Sequence, residues 1–348
     1  MKKLLKVLLI LLLIAVIALG GLLAFLSVTE YKPEAVEPVE VKGAGTGAVP
    51  ARDLRILSWN IGYGGLGAAE DFFMDGGTRA RPDSPETVNS YLEGIRQSIA
   101  EAQPDLVMLQ EVDCDSSRTY SIDETAVLSR SASAVALNYA CPFVPVPFPP
   151  MGKVHAGQQT TADYEIRSAE RVALPCPFSW PLRTANLKRC LLVTRLPVQG
   201  SEKELVLVNL HLEAYDDGEG RLAQTRQLTE LLQKEYLNGN YVVAGGDFNQ
   251  LFPGSLAVWP QKRPENWLPN QLEPESLPAG FRYAADISVP SCRLLDRPYD
   301  PADTENNQYY VIDGFIVSPN VTVSAVETLD LDFQHADHNP VSLTVRLE

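Results

Sequence analysis

Hydrophobic positions in this chain fall into one unbroken block followed by many short ones. Lys2, Lys3 and Lys6 precede an uncharged run from Val7 to Val28. As a helix its 22 residues reach about 33 Å, enough to cross a bilayer. Lysines before the run and Glu30, Glu34, Glu37 and Glu40 after it predict a single-pass signal anchor over 1–28. The N-terminus then lies inside the cell membrane and the bulk of the chain outside. A cleaved signal peptide is the competing reading; the length of the run and the lack of a small-x-small site after it favour the anchor. Residues 29–52 carry three prolines and three glycines without apolar periodicity and read as a flexible linker.

From residue 53 to 348 the pattern is that of a single globular domain. Leu54 to Asn60 reads as a strand ending at a Gly-rich turn. Ser84-Pro85 opens a helix, Ser as its cap and Pro in its first turn, with Val88, Leu92, Ile95 and Ile99 as the buried stripe. Leu106 to Leu109 is a buried strand closing on Gln110-Glu111. Proline density over 140–181 predicts long surface loops. Leu191 to Val193 and Leu205 to Leu210 read as a hairpin, and Arg221 to Tyr236 as a helix with Leu222, Leu228, Leu231 and Leu232 inward. Tyr241 to Val243 is a short strand before Gly245-Gly246. Residues 251–308, with nine prolines, read as elaborate loops before strands at 311–317, 321–328 and 341–347. Hairpin-connected strands outnumbering helices predict mixed sheets with helices packed outside.

Charge narrows the partners. The chain carries a net charge of −15, and from residue 53 onward 23 basic residues face 40 acidic ones, a net of −17. That balance repels duplex nucleic acid and anionic surfaces, and no basic run interleaved with aromatics supplies a strand-binding channel. Five scattered cysteines without C-x-x-C spacing exclude a zinc ribbon or redox pair; Cys141 and Cys176, both in proline-rich stretches, remain a possible disulfide.

Polar residues recur at the ends of the apolar strands: Asn60, Glu111, His211, then Asp247 and Asn249 two residues apart. Asp313 lies within an apolar strand, where an acid is costly unless it is paired. Asp337-His338 precedes the last strand, so two of the four histidines occupy such positions.

Taken in order, Trp59-Asn60, Gln110-Glu111-Val112, Asn209-Leu210-His211-Leu212, Gly246-Asp247-Phe248-Asn249, Ile312-Asp313-Gly314-Phe315 and Asp337-His338-Asn339-Pro340-Val341 closely resemble the signature blocks of the endonuclease/exonuclease/phosphatase superfamily. The resemblance covers essentially residues 53–348. It implies an α/β four-layer sandwich, with two mixed β-sheets face to face and helices outside, and a metal-dependent hydrolase of phosphoric esters. By the same resemblance Glu111 is the main Mg²⁺ ligand (Mn²⁺ is an alternative), with Asn60 and Asp337 near the metal or its waters. Asp247 would orient or deprotonate the attacking water, and Asn249 and His211 would bond the phosphate oxygens. His338 would face the phosphorus centre, kept cationic by Asp313.

A central family block of the form Gly-Asn-Ala-Ile-Leu-Ser-Arg-Tyr-Pro-Ile has its nearest counterpart, on this reading, at Gly157 to Ile166, where Gln158 replaces the amide. His155 is then either a substrate contact or a solvent-facing loop residue. Arg293, after Ser291-Cys292, falls near another family block. Lys188 and Arg189 could reach phosphate or lie at a solvated strand edge. Anchor and acidity together favour a lipid head group or a small phosphorylated molecule as substrate. An extracellular nuclease resembling deoxyribonuclease I, and a catalytically silent binding module with the same fold, are the alternatives.

Overall fold

The computed structural model describes residues 1–348 except 51, 217 and 264. Helix α1 (Lys2–Val28) leads into strands β1 (Val36–Val39), β2 (Val41–Gly43) and β3 (Leu54–Asn60), then α2 (Pro85–Ala102) and β4 (Leu106–Asp113). A short helix, α3 (Glu124–Val127), precedes β5 (Ala132–Val144), β6 (Gly152–Ala162), β7 (Ser168–Ala173), β8 (Cys190–Pro197) and β9 (Glu204–His211). Helix α4 (Glu219–Leu237) is followed by β10 (Tyr241–Asp247), α5 (Ser255–Val258), β11 (Arg282–Ala284), β12 (Cys292–Arg293) and β13 (Tyr309–Tyr310). The chain closes with β14 (Asp313–Val317), β15 (Val321–Thr328) and β16 (Val341–Leu347).

Two seven-stranded sheets carry the fold, ordered β1-β7-β8-β9-β10-β14-β11 and β15-β16-β3-β4-β6-β5-β2. Both are mixed: β9 with β10 and β3 with β4 are parallel, and their other pairs are antiparallel. Alternation along the central strands explains the layering, since side chains two residues apart share a face. Leu54, Ile56, Leu106, Met108, Leu205, Leu207, Val243 and Phe315 meet between the sheets. The opposite faces turn outward: Leu57, Trp59, Val107 and Leu109 pack on Val88, Leu92 and Ile95 of α2. Likewise Val206, Val208, Val242 and Ala244 pack on Leu228 and Leu232 of α4. This is the expected four-layer sandwich.

Local signals behaved as physics requires in α2, where the Ser84 side chain accepts from Thr87 N at 3.2 Å and Pro85 occupies the first turn. In α4, Leu228 and Leu232 are buried but Leu222 is 58% exposed. Leu222 lies six residues before Leu228, roughly 240° around the helix, so it faces solvent.

Three expectations are corrected. Residues 36–43 are not a free linker: β1 pairs with β7 and β2 with β5, one short strand at the edge of each sheet. Strands this short leave no periodicity to read, and Pro38 is tolerated because an edge strand needs fewer donors. Within 140–181, β5, β6 and β7 displace most of the expected loop. Pro142 is accommodated in a register shift between Cys141 and Val144. All five cysteines are free, Cys141 buried and Cys176 exposed, so they form no pair.

Candidate active site

Asn60 and Gln110 are register partners at the ends of parallel β3 and β4, and His211 and Asp247 are partners at the ends of parallel β9 and β10. Antiparallel β14 begins opposite that end, with Asp313 paired to Asp247. Parallel pairing therefore brings residues far apart in sequence to one edge of the sandwich. Period-two phasing does the rest. Asn60 shares its face with Leu54 and Ile56, His211 with Leu205 and Leu207, Asp247 with Val243, and Asp313 with Phe315, all of which point between the sheets. The polar residues emerge where that shared apolar seam opens.

Glu111 is one step out of phase and would face α2 in a regular strand. A register shift between Leu109 and Val112, with Glu111 at φ +52°, turns it back. Its Oε1 lies 3.3 Å from the Asn60 amide nitrogen. Beneath it, Gln110 Nε2 donates to Asn209 Oδ1 at 2.8 Å, bridging the two sheets. Gly246, at φ +147°, allows β10 to close on β9: a Cβ there would sit 1.9 Å from Leu210 O.

The side chains form a connected network. Asn60 Oδ1 accepts from Gly62 N at 3.0 Å, fixing the amide so that Nδ2 donates to Asp247 Oδ2 at 3.0 Å. Asp247 Oδ1 accepts from Asn249 N at 2.8 Å, and Asn249 Nδ2 donates to Leu212 O at 2.8 Å. His338 Nδ1 lies 2.8 Å from Asp313 Oδ2, and Ser291 Oγ donates to the same oxygen at 2.7 Å. His338 Nε2 is 3.8 Å from both Asp247 and Asp337, and His211 Nε2 is 3.5 Å from Asp247.

Burial and neighbours set the charges. Burial disfavours a cationic His338, yet Asp313 and its other neighbours outweigh it and hold the imidazole well above its usual range. Burial, Arg189 and His338 push His211 well below its usual range, leaving it neutral. The Asp247 carboxyl is raised to about 7 by burial and by Asp313, against opposition from His338. Asp337 is raised to about 7 by burial, with Glu111 adding to the rise and His338 opposing it.

Asp337 and Glu111 fit a divalent cation. Asp337 Oδ1 is buried without a hydrogen-bond partner among the described residues. Gly62 beside it leaves room that a Cβ, at 2.8 Å from that oxygen, would take. Carboxylate and amide oxygens are the donors a hard ion such as Mg²⁺ prefers. Asp247, Asp313 and His338 also offer donor atoms within 4.8 Å of one another. The 2.8 Å His338–Asp313 contact is that of a hydrogen-bonded ion pair, so this trio suits charge and proton handling better than coordination.

The sequence model of the Endonuclease/Exonuclease/phosphatase family matches residues 57–332. The chain belongs to that family. It is accordingly a metal-dependent hydrolase of phosphoric esters. No curated protein sequence matches it. Among solved structures, it is similar to an endonuclease/exonuclease/phosphatase from Beutenbergia cavernae DSM 12333, at 19% identity and a TM-score of 0.56 over 85% of this chain and 72% of that one. The protein of that name from Bacteroides vulgatus gives 18% identity and a TM-score of 0.53, over 85% and 100% of the two chains. The human Nocturnin catalytic domain with bound sulfate anion gives 17% and 0.51, over 89% and 97%. At these identities the structures speak to the fold alone.

All six family blocks converge. Asn60, Glu111, His211, Asp247, Asn249, Asp337 and His338 line one cavity of about 630 Å³, with Asp313 directly behind His338. The three expected substrate contacts fare differently. Arg293 lines the cavity, but it is 3% exposed and its guanidinium donates to Gly67 O and Glu70 O at 3.0 and 3.1 Å, which makes it a brace for that loop. Gln158 is fully buried between the sheets, donating to Cys190 O at 3.3 Å, and does not reach the cavity. His155 lies on β6 outside the cavity lining.

The central family block therefore fits another stretch better. Arg189 to Val198, Arg-Cys-Leu-Leu-Val-Thr-Arg-Leu-Pro-Val, matches its apolar, hydroxyl, basic and proline positions in order. Arg189, read as a possible solvated edge, is instead 5% exposed, lies on the cavity wall, and has no hydrogen-bond partner for Nε or Nη1 among the described residues. Ser291, in the stretch that falls where the family carries a threonine-containing block, was not named as a functional residue; the fold gives it a role, because its hydroxyl meets Asp313 across 22 residues.

Proposed function

We propose that the chain is a Mg²⁺-dependent phosphoesterase, anchored by α1, that acts outside the membrane on a lipid head group or a small phosphorylated molecule. The observation that carries it is the convergence of Glu111 and Asp337, with Asn60 between Glu111 and Asp247, beside a His338–Asp313 ion pair. Glu111 and Asp337 would hold the cation, which supplies a Lewis-acidic counter-charge for phosphoryl oxygens when bound, and the Asn60 amide, whose Nδ2 faces Glu111 and Asp247, would keep those carboxylates in place.

The remaining work falls to the chain's own groups. Asp247, oriented by the Asn60 amide and the Asn249 backbone, holds the attacking water and takes its proton at Oδ2. Cationic His338 faces Asp247 across the site and stabilises charge on the phosphoryl oxygens through Nε2–H, while Asp313 fixes Nδ1–H. Neutral His211 and the second amide hydrogen of Asn249 complete the donor set. Anchoring rests on the apolar segment of α1, whose mean hydropathy reaches 3.2 with none of that window buried.

The test is hydrolysis of bis(p-nitrophenyl) phosphate by the full chain in detergent, with Mg²⁺ or EDTA, beside Asp247→Ala. EDTA should abolish turnover, and the variant should lose on the order of 10²–10⁴-fold in kcat. Activity surviving either treatment defeats the reading. A plasmid arm separates the alternative, since efficient duplex cleavage would make the chain a nuclease.

A further inference from the structure

We propose that α1 is part of the substrate cavity as well as an anchor, so that the substrate is a bilayer-resident amphiphile whose apolar tail lies along α1 while its phosphoester reaches Glu111 and Asp247. The inference rests on the anchored-phosphoesterase reading and deepens it.

The first support is that α1 is seated on the domain. Every residue from 1 to 20 is exposed, whereas Leu26 is 4% exposed. Leu22 and Leu26 pack with Tyr139, Cys141, Val144 and Met151. Polar contacts fix the seat: the Trp180 indole donates to Ser27 Oγ at 3.0 Å. Just past the helix, Glu30, with its side chain 5% exposed, meets Lys188 at 3.2 Å and Arg183 at 3.3 Å. With Lys32 at 3.7 Å as a third cation, this buried acid ties the helix end to the 174–189 loop through Arg183 and Lys188.

The second support is the cavity itself. Leu19, Leu22, Leu23 and Leu26 line the same space as Asn60, Glu111, Asp247 and His338. A polar, charged floor thus continues into a leucine wall without a break. A water-soluble nucleotide or a duplex has nothing to gain from that wall. An acyl or prenyl tail does, because burying it removes apolar surface from water.

The uncharged residues ahead of the seated turns, Val7 to Gly21, rise about 22 Å as a helix, so the long stems of Lys6, Lys3 and Lys2 complete the crossing by reaching the far interface. On that seating Leu19 to Leu26 straddle the membrane surface, and the cavity that they line opens there. Exposed apolar side chains adjoin the cavity and α1: Val146 (55% exposed) and Leu182 (68%) line the cavity, Phe148 (96%) lies two residues beyond Val146, and Trp180 (54%) bonds Ser27 of α1. Such exposure marks a contact surface, and its continuity with α1 identifies the occupant as the bilayer.

The experiment uses the full chain reconstituted in phosphatidylcholine vesicles. It measures inhibition of bis(p-nitrophenyl) phosphate hydrolysis by methyl phosphate and by dodecyl phosphate. The variants are Leu23→Gln, on the cavity wall, and Phe25→Gln, at similar depth on an exposed face. Dodecyl phosphate should inhibit the wild type at least a hundredfold more tightly than methyl phosphate. Leu23→Gln should cut that advantage at least tenfold, and Phe25→Gln should leave it unchanged. Equal inhibition by the two phosphates, or the same loss in both variants, overturns the proposal. If the wild type hydrolyses no diester, the phosphoesterase reading fails, and the wall is judged by the rise in melting temperature that each phosphate gives.

Discussion

Arg189 brings a guanidinium into the cavity wall, where among the described residues its ion-pair partner is Glu213, at 3.6 Å from Nε. A buried cation so incompletely paired is costly until an anion completes its shell, and its fork geometry suits phosphate. Arg189→Met should raise KM for a phosphodiester at least tenfold while changing kcat much less, as steady-state kinetics would show. Ser291 acts at one remove. Its hydroxyl accepts from Ile312 N and Asp313 N at 3.0 and 3.1 Å and passes its own hydrogen to Asp313. Ser291→Ala leaves two buried N–H groups and one carboxylate oxygen short of a partner, a cost of about 1–3 kcal/mol for each group that stays unpaired. Thermal denaturation should show lower stability, and the pH profile of kcat should shift because Asp313 holds His338 less firmly.

Among the elements, α4 is tied to its sheet by an ion pair whose pH dependence can be worked out. Arg195 on β8 reaches Glu235 on α4 through two contacts of 3.0 and 2.7 Å, and Asn240 Nδ2 donates to the same carboxylate at 2.9 Å. Burial raises the Glu235 pKa, but these partners outweigh it and the result lies below the ordinary value. A depressed carboxyl contributes stability that is fully present above its unfolded pKa and lost as pH falls through its folded one. The gap in melting temperature between wild type and Glu235→Gln should therefore be full at neutral pH and close on acidification below the usual glutamate range. How much of the structure was legible varied in the same physical terms. Elements with a strong repeat, such as α2 with Val88, Leu92, Ile95 and Ile99, could be read directly. So could strand-end polar residues, because apolar runs make them conspicuous. Short edge strands such as β1 and β2 have too few residues for a pattern, and prolines hid β5 to β7. The Glu111 bulge and the inward Arg189 depend on pairing register and cavity shape, which no local window contains.

For the molecule as a whole, the site concentrates negative charge within a domain that is already strongly acidic. Glu111, Asp247, Asp313 and Asp337 share one end of the sandwich. A ligand that binds only the folded state raises stability by mass action, so adding Mg²⁺ should raise the melting temperature of the wild type. The rise should disappear with EDTA and be largely lost in Glu111→Gln; an unchanged rise in that variant would exclude Glu111 as a metal ligand. The seat of α1 carries a further consequence. If α1 holds the catalytic cavity at the bilayer surface as proposed, encounter becomes a search in a plane, and the governing variable is the mole fraction of substrate among lipids. Diluting the vesicles in buffer would then leave the turnover rate constant, whereas diluting the substrate with inert lipid at the same bulk concentration would lower it.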